Sequence, residues 1–431
     1  MERWHSKEGH RMGIYFNPNH TDFYNAVNHS QIYVDKTKLI QYTNSVLFGE
    51  QKYICVSRPR RFRKSMAANM LTAYYSRGCD SRELFQGLKI ATHPDFEKHL
   101  NQYNVIHLNM QSFLSKTQTI EQMIALVTKA VGRDLLRAYP DIDYLDKSIL
   151  TFMLDDVYQN YQVPFIFIID EWDCIFRSRK NQLEEQTKYL DFLRDLLKDK
   201  GYIALAYMTG ILPIKKYGEH SAINVFYEYS MTDASPIEKF TGFTEQEVRQ
   251  LCEQYKMPFS ETKKWYDGYC VDGVSIYNPK SVVEAMLRGK FNNYWTKTET
   301  YEALKVYIDL NQDGLRDKII QMIAGEKVPV NPDKFQNDMT TFYSADDVLT
   351  LLVHLGYLTY DEQNRVVWIP NGEVRQEFIN SIEDGGWEPV VQAIHSSEKL
   401  LQATLSCDEQ TVAALNRTST SSKCIHLEIQ R

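Results

Sequence analysis

The sequence predicts an α/β protein built on a parallel sheet with crossover helices. Three apolar runs, "YICVS" (53–57), "VPFIFIID" (163–170) and "GYIALAYMTG" (201–210), are continuous rather than alternating, as in strands buried on both faces. A fourth strand candidate is "NVIHLNM" (104–110). Helical patterns separate them, and strands that alternate with helices predict a parallel sheet.

In chain order, residues 13 to 50 form a mixed segment ahead of the first strand. "KSMAANMLTAYYS" (64–76) reads as a helix, with Met66, Met70 and Leu71 at helical spacing. "TIEQMIALVTKAVGRDLLRAY" (119–139) is a long amphipathic helix, and "EEQTKYLDFLRDLLKD" (184–199) is another. After about residue 240 the character changes. "TEQEVRQLCEQY" (244–255) opens with a capping box, Thr followed three residues later by Glu, and helical patterns dominate to about residue 325. Residues 344–382 read as a helix, two short strands around "DEQN" and a second helix, the order of a winged-helix-like unit. No internal repeat or low-complexity tract interrupts the chain.

The stretch "SRPRRFRKS" (57–65) joins the first strand to its helix. A phosphate loop uses glycine to curl backbone N–H groups around phosphates, a lysine for the β/γ oxygens and a Ser or Thr for Mg²⁺. The following helix adds its positive end. Lys64 and Ser65 fit the last two places of GxxxxGK[ST], but Arg58 and Arg63 stand where glycines are expected. On this stretch alone, a phosphate loop and the basic first turn of an ordinary helix both stand.

The acids after the third run bear on that choice. "FIFIIDEWD" places Asp170 and Glu171 at a strand end, where one carboxylate serves the Mg²⁺ shell and the next orients an attacking water. Asp173 is a further acid. Thr209, at the end of the next strand, is a candidate γ-phosphate sensor or a simple cap. His107 and His354 lie in apolar stretches and read as packed residues. Asp267-Gly268 in "WYDGY" reads as a turn pinned by its aromatics.

The chain resembles the bacterial and archaeal AAA-ATPase-like proteins that often carry a C-terminal PD-(D/E)XK nuclease-like domain. The resemblance rests on "YVDKT" (33–37), "SRPRRFRKS" (57–65), "LFQGLKI" (84–90), "IIDEWD" (168–173), "TGI" (209–211), "FTGFTEQEV" (240–248), "WYDGY" (265–269), "YNPKSVV" (277–283) and "IPNGEVRQEF" (369–378). It implies a P-loop NTPase-like parallel sheet with crossover helices, followed by a helical region and a winged-helix-like unit. It also implies ATP and Mg²⁺ as cofactors. Arg60, Arg61, Lys64, Ser65, Asp170 and Thr209 would bind them, Ser65 and Asp170 on the metal, with Glu171 catalytic. No chemistry carries over to Asp35, Asp267 or Asn278.

The family loop resembles "RPRRFGKS", so Arg63 is this chain's own departure. A side chain there either blocks the pocket, by bulk or by pairing with Asp170 or Glu171, or swings out, at a cost of about 1–3 kcal/mol if φ must be positive. The first is favoured, because a guanidinium near two carboxylates has a bidentate partner. Impaired hydrolysis is then expected.

The implied organisation is an N-terminal extension (1–24), an ATPase-like domain (25–240), a helical region (241–330), a winged-helix-like region (331–395) and a truncated tail (396–431). Met12 is an alternative start that would make the first eleven residues an upstream extension. The tail holds "HLEIQR" but no D…(D/E)xK constellation. The 431 residues have 43% hydrophobic and 24% charged composition, as in soluble globular proteins. The net charge of −7 argues against wholesale nucleic-acid coating. The seven cysteines contain no CxxC pair and read as reduced thiols of a cytoplasmic protein. No membrane-spanning run or signal-peptide core is evident. Two rival function classes remain: a non-catalytic protein-interaction module on an ATPase scaffold, and nucleic-acid binding through Arg58, Arg60, Arg61 and Arg63.

Overall fold

The computed structural model describes residues 12–214, 224–295, 302–309, 312–335, 342–383, 396 and 399–414. Its centre is a five-stranded sheet: β1 (Tyr53–Ser57), β2 (Asn104–Asn109), β3 (Phe165–Asp170), β4 (Ile203–Gly210) and β5 (Tyr227–Tyr229). The order is β2-β3-β4-β1-β5, and every pairing is parallel. Strands β1, β3 and β4 are buried along their whole length. Alternate residues serve opposite faces. Ile54, Val56, Ile166 and Ile168 pack on Ala68, Leu71 and Tyr75 of the helix Lys64–Tyr75, while Cys55, Phe167, Ile169 and Met208 pack on Val127, Val131 and Leu193 of the helices Ile120–Ala138 and Leu183–Leu197. Two-sided burial is why these runs are continuous.

The register aligns the strand ends that matter: Ser57 faces Gly210, and Asn109 faces Asp170. β1 lies between β4 and β5, so the crevice beyond its carboxyl end is where an open parallel sheet binds ligands. Residues 13–17 close the far edge. Phe16 bridges Ile106, and the buried Asp134 carboxylate accepts from the Ile14 and Tyr15 amides at 2.7 and 2.9 Å.

The segment after residue 240 is less purely helical than its pattern predicts. A second sheet, β6 (Phe243–Thr244), β7 (Tyr269–Val271) and β8 (Val274–Tyr277), runs antiparallel in the order β6-β8-β7 among the helices Glu245–Tyr255, Phe259–Tyr266 and Pro279–Arg288. The third sheet is β9 (Val328–Pro329), β10 (Thr359–Asp361) and β11 (Val366–Trp368), in the order β10-β11-β9. Helices Ala345–Leu355 and Gly372–Glu383 flank the β10–β11 hairpin. The residues beyond 414, with "HLEIQR", lie outside the described part of the chain, as do residues 1–11.

Candidate nucleotide site

The loop 58–63 is fixed from both ends before it offers anything to a ligand. The Arg58 amide donates to the Gly210 carbonyl at 3.0 Å. Its guanidinium is 1% exposed and turns inward, with Nη1 donating to the carbonyls of Ser57, Tyr229 and Ser230 at 2.9, 2.8 and 2.7 Å. An arginine at the first glycine place is thereby explained: it bolts the end of β1 to the end of β5. Phe62 is fully buried, edge-on to Tyr269 with ring centroids 5.2 Å apart, and its carbonyl accepts from the Gly242 amide at 3.3 Å. Arg61 and Arg63 both take left-handed backbone, at φ +71° and +62°.

Arg63 does not pair with Asp170 or Glu171, contrary to the sequence expectation. Its side chain still lines the cavity that holds Glu171, but its guanidinium is engaged elsewhere. The guanidinium carbon sits 4.7 Å from the centroid of the Phe243 ring, and Nη2 donates to the Ile32 carbonyl at 3.4 Å. Burial lowers its pKa to about 10, which leaves it charged at neutral pH. The backbone thus adopts the turn a glycine would take, and a cation–π contact with hydrogen bonding offsets the conformational cost.

Lys64 begins the helix and is buried, its Nζ donating to the Arg58 and Pro59 carbonyls at 2.8 and 3.0 Å. Desolvation lowers its pKa, opposed by the carboxylates of Glu171, Asp173 and Asp170. Ser65 Oγ donates to Asp170 Oδ2 at 2.6 Å. Asp170 ends β3 at 3% exposure and also accepts from the Thr209 hydroxyl. Asn109 Nδ2 stands 3.5 Å from Asp170 Oδ2. Thr209 is fully buried, and its hydroxyl braces Asp170.

The three acids of "DEWD" have separate tasks. Asp170 meets Ser65. Glu171, at φ +55°, lines the cleft and is ion-paired with Arg177. Asp173 is fully buried and structural: its Oδ2 accepts from the Ile211 and Leu212 amides at 3.0 and 2.9 Å and from Arg177 Nε at 3.1 Å. The "TGI" stretch is therefore a brace for both aspartates.

Arg60, Arg61, Arg63, Lys64, Ser65 and Glu171 line one cavity of about 420 Å³. Its opposite wall is Pro279, Lys280 and Val283, from a helix whose first turn is capped by the Asn278 side chain accepting from the Lys280 and Ser281 amides at 2.9 and 3.3 Å. Two residues near this site escape sequence reasoning. Lys280 lies in the quoted "YNPKSVV", but nothing in that stretch says it faces the loop. Arg177 carries no motif at all.

His107 is packed, its Nδ1 3.0 Å from Thr72 Oγ1, and burial lowers its pKa. His354 is buried and stacked on Phe335.

Residues 19–218 match the AAA-ATPase_like family model, described as "Predicted AAA-ATPase". The chain is similar to the "Uncharacterized protein in vnfD 5'region" of Azotobacter chroococcum mcd 1, with 23% identity over 352 residues, 80% of this chain. It spans 63% of that relative's length. Among solved structures it is similar to the Walker-type ATPase PABY2304 of Pyrococcus abyssi (12% identity, TM-score 0.40, 80% of this chain and 94% of that one). It is also similar to the Aeropyrum pernix ORC2 protein, solved as ADPNP–ADP complexes (12% identity, TM-score 0.36, 85% and 97%). Among the described residues no helix is long and apolar enough to cross a membrane.

Proposed function

We propose that the chain binds ATP with Mg²⁺ in the cleft at the carboxyl end of β1 and hydrolyses it. One observation carries this reading: Lys64, Ser65, Asp170 and Glu171, about a hundred residues apart in sequence, meet at one sheet end, with Ser65 Oγ 2.6 Å from Asp170 Oδ2. A hydroxyl and a carboxylate side by side are the hard oxygen donors that Mg²⁺ takes from a protein when substrate phosphates and water supply the rest. When bound there, Mg²⁺ would neutralise charge developing on the phosphates.

The remaining work falls to the chain. Lys64 exchanges its two loop carbonyls for β/γ-phosphate oxygens, and the amides opening the helix Lys64–Tyr75 face the same anion. Arg60 and Arg61 add positive charge at the cleft wall. Thr209 holds Asp170 in place. Glu171 orients a water and accepts its proton as the water oxygen bonds to the γ-phosphorus. The bond from that phosphorus to the β,γ-bridging oxygen breaks, and ADP leaves with the electron pair.

Isothermal titration with Mg·ATP tests the reading. Binding by the wild type that falls at least tenfold in Lys64→Ala is the expected result. A wild type that releases no heat and shows no protection by ATP would remove the active-site assignment and leave the fold.

We read residues 25–240 as the ATPase-like domain and 331–395 as a winged-helix-like region for protein contact. Nucleic-acid binding through the four loop arginines is weaker, because Arg58 is buried and Arg63 is held by Phe243 and Ile32.

A further inference from the structure

Each polar group of the proposed site has an internal partner, but the partners differ in kind. Lys64 rests on two loop carbonyls, and Ser65 rests on Asp170. Phosphate and metal can displace both, since they offer the same atoms a stronger partner. Glu171 is different. Its carboxylate, 25% exposed, is held by the Arg177 guanidinium, a full opposite charge only 11% exposed and not part of the cleft lining. Arg177 is itself anchored: its Nε donates to Asp173 Oδ2 at 3.1 Å, and Asp173 is fixed by the two amides that follow β4. The guanidinium is therefore held by Asp173 whether or not Glu171 moves.

We propose that Arg177 is a positioning residue that latches Glu171 and holds ATP hydrolysis well below the rate the site would otherwise support. This rests on the nucleotide reading given above. The pair brings together a charge-assisted hydrogen bond of low exposure and a left-handed backbone at Glu171, φ +55°. Such a pair is strong where water is scarce. On this proposal the impaired hydrolysis expected from Arg63 arises instead from a residue of the five-residue helix Cys174–Ser178 that follows the acids.

The experiment measures Mg·ATP affinity and single-turnover phosphate release in wild type, Arg177→Ala, Arg177→Lys and Arg177→Ala/Glu171→Gln. Arg177→Ala should release phosphate at least fivefold faster, with ATP affinity within about threefold of wild type. Arg177→Lys retains a charge for Asp173 without the fork that reaches both acids, and should give a smaller gain. The double variant should lose the whole gain, a dependence on Glu171 that a merely structural arginine would not show. If Arg177→Ala is unstable, the comparison rests on Arg177→Lys and its own double variant with Glu171→Gln. A variant that binds ATP normally and hydrolyses it at or below the wild-type rate overturns the latch and leaves the nucleotide reading intact. Absence of ATP binding in wild type and variants alike overturns both.

Discussion

Arg63 shows how one side chain can break a motif without breaking its geometry. The loop needs left-handed backbone at this place, and a non-glycine residue pays roughly 1 kcal/mol for it. A cation–π contact of the kind seen with Phe243 returns a similar amount when partly desolvated. Arg63→Gly therefore removes a cost and a contact of like size. The expected outcome is an ATP affinity within about threefold of wild type and a melting temperature within a few degrees. Calorimetric titration and thermal unfolding check it, and a tenfold gain in affinity would place the side chain back over the phosphates. From the sequence, Arg63 reads as a blocker because two carboxylates are obvious partners; what cannot be read there is the sign of φ, nor that Phe243, 180 positions away, offers its ring. Lys64, Ser65, Asp170 and Glu171 are legible because strand ends mark them. Arg177 is not, because only the folded helix Cys174–Ser178 brings it to Glu171.

Elements explain most of the remaining quoted stretches. Asp35 accepts from the Thr37 amide at 2.8 Å and the Lys89 amide at 2.7 Å, tying "YVDKT" to "LFQGLKI". Lys36 pairs with Glu247 of the capping box at 2.6 Å, tying it also to "FTGFTEQEV". These residues hold elements together and need no chemistry. β1, β3 and β4 are legible because two-sided burial leaves an unbroken apolar run, and β2 because a shorter apolar core survives between its polar residues. β5, β6, β7 and β8 were not, since runs of two to four residues carry too short a period. One signal was available: Asp272-Gly273, with φ +47° and +72°, is the two-residue hairpin turn between β7 and β8. Gly268 of "WYDGY" is the sharpest packing constraint. Its φ is +111°, and a Cβ would fall 1.9 Å from the Pro370 carbonyl oxygen of "IPNGEVRQEF". Gly268→Ala should destabilise the fold by about 2–4 kcal/mol, through strained backbone and a clash with main chain. Urea unfolding monitored by tryptophan fluorescence measures it, and a loss under 1 kcal/mol would mean that the two stretches are not in contact.

At the scale of the molecule, the helix that lines the cleft beside the 58–63 loop is tied to a C-terminal helix by a buried carboxyl group. Glu373, 1% exposed at the start of the helix Gly372–Glu383, accepts from the Ser281 hydroxyl at 2.7 Å and the Trp295 amide at 2.8 Å. Ser281 lies on the helix that carries Lys280 to the cleft. Desolvation raises the Glu373 pKa from 4.5 to about 7, opposed by these hydrogen bonds and aided by the charge of Glu377. Between pH about 4.5 and 7 the folded state therefore keeps a proton that the unfolded chain releases. Stability falls as pH rises through this window, by up to roughly 3 kcal/mol in all. Glu373→Gln mimics the protonated form: its carbonyl can accept from the Trp295 amide and its NH₂ can donate to Ser281 Oγ. The variant should match wild type near pH 5 and exceed it by about 1–3 kcal/mol near pH 8. The difference between the two stability–pH curves isolates this group from every other titration in the chain. Curves that stay parallel from pH 5 to 8 would show that Glu373 is ionised throughout, and that the hydrogen bonds outweigh its burial.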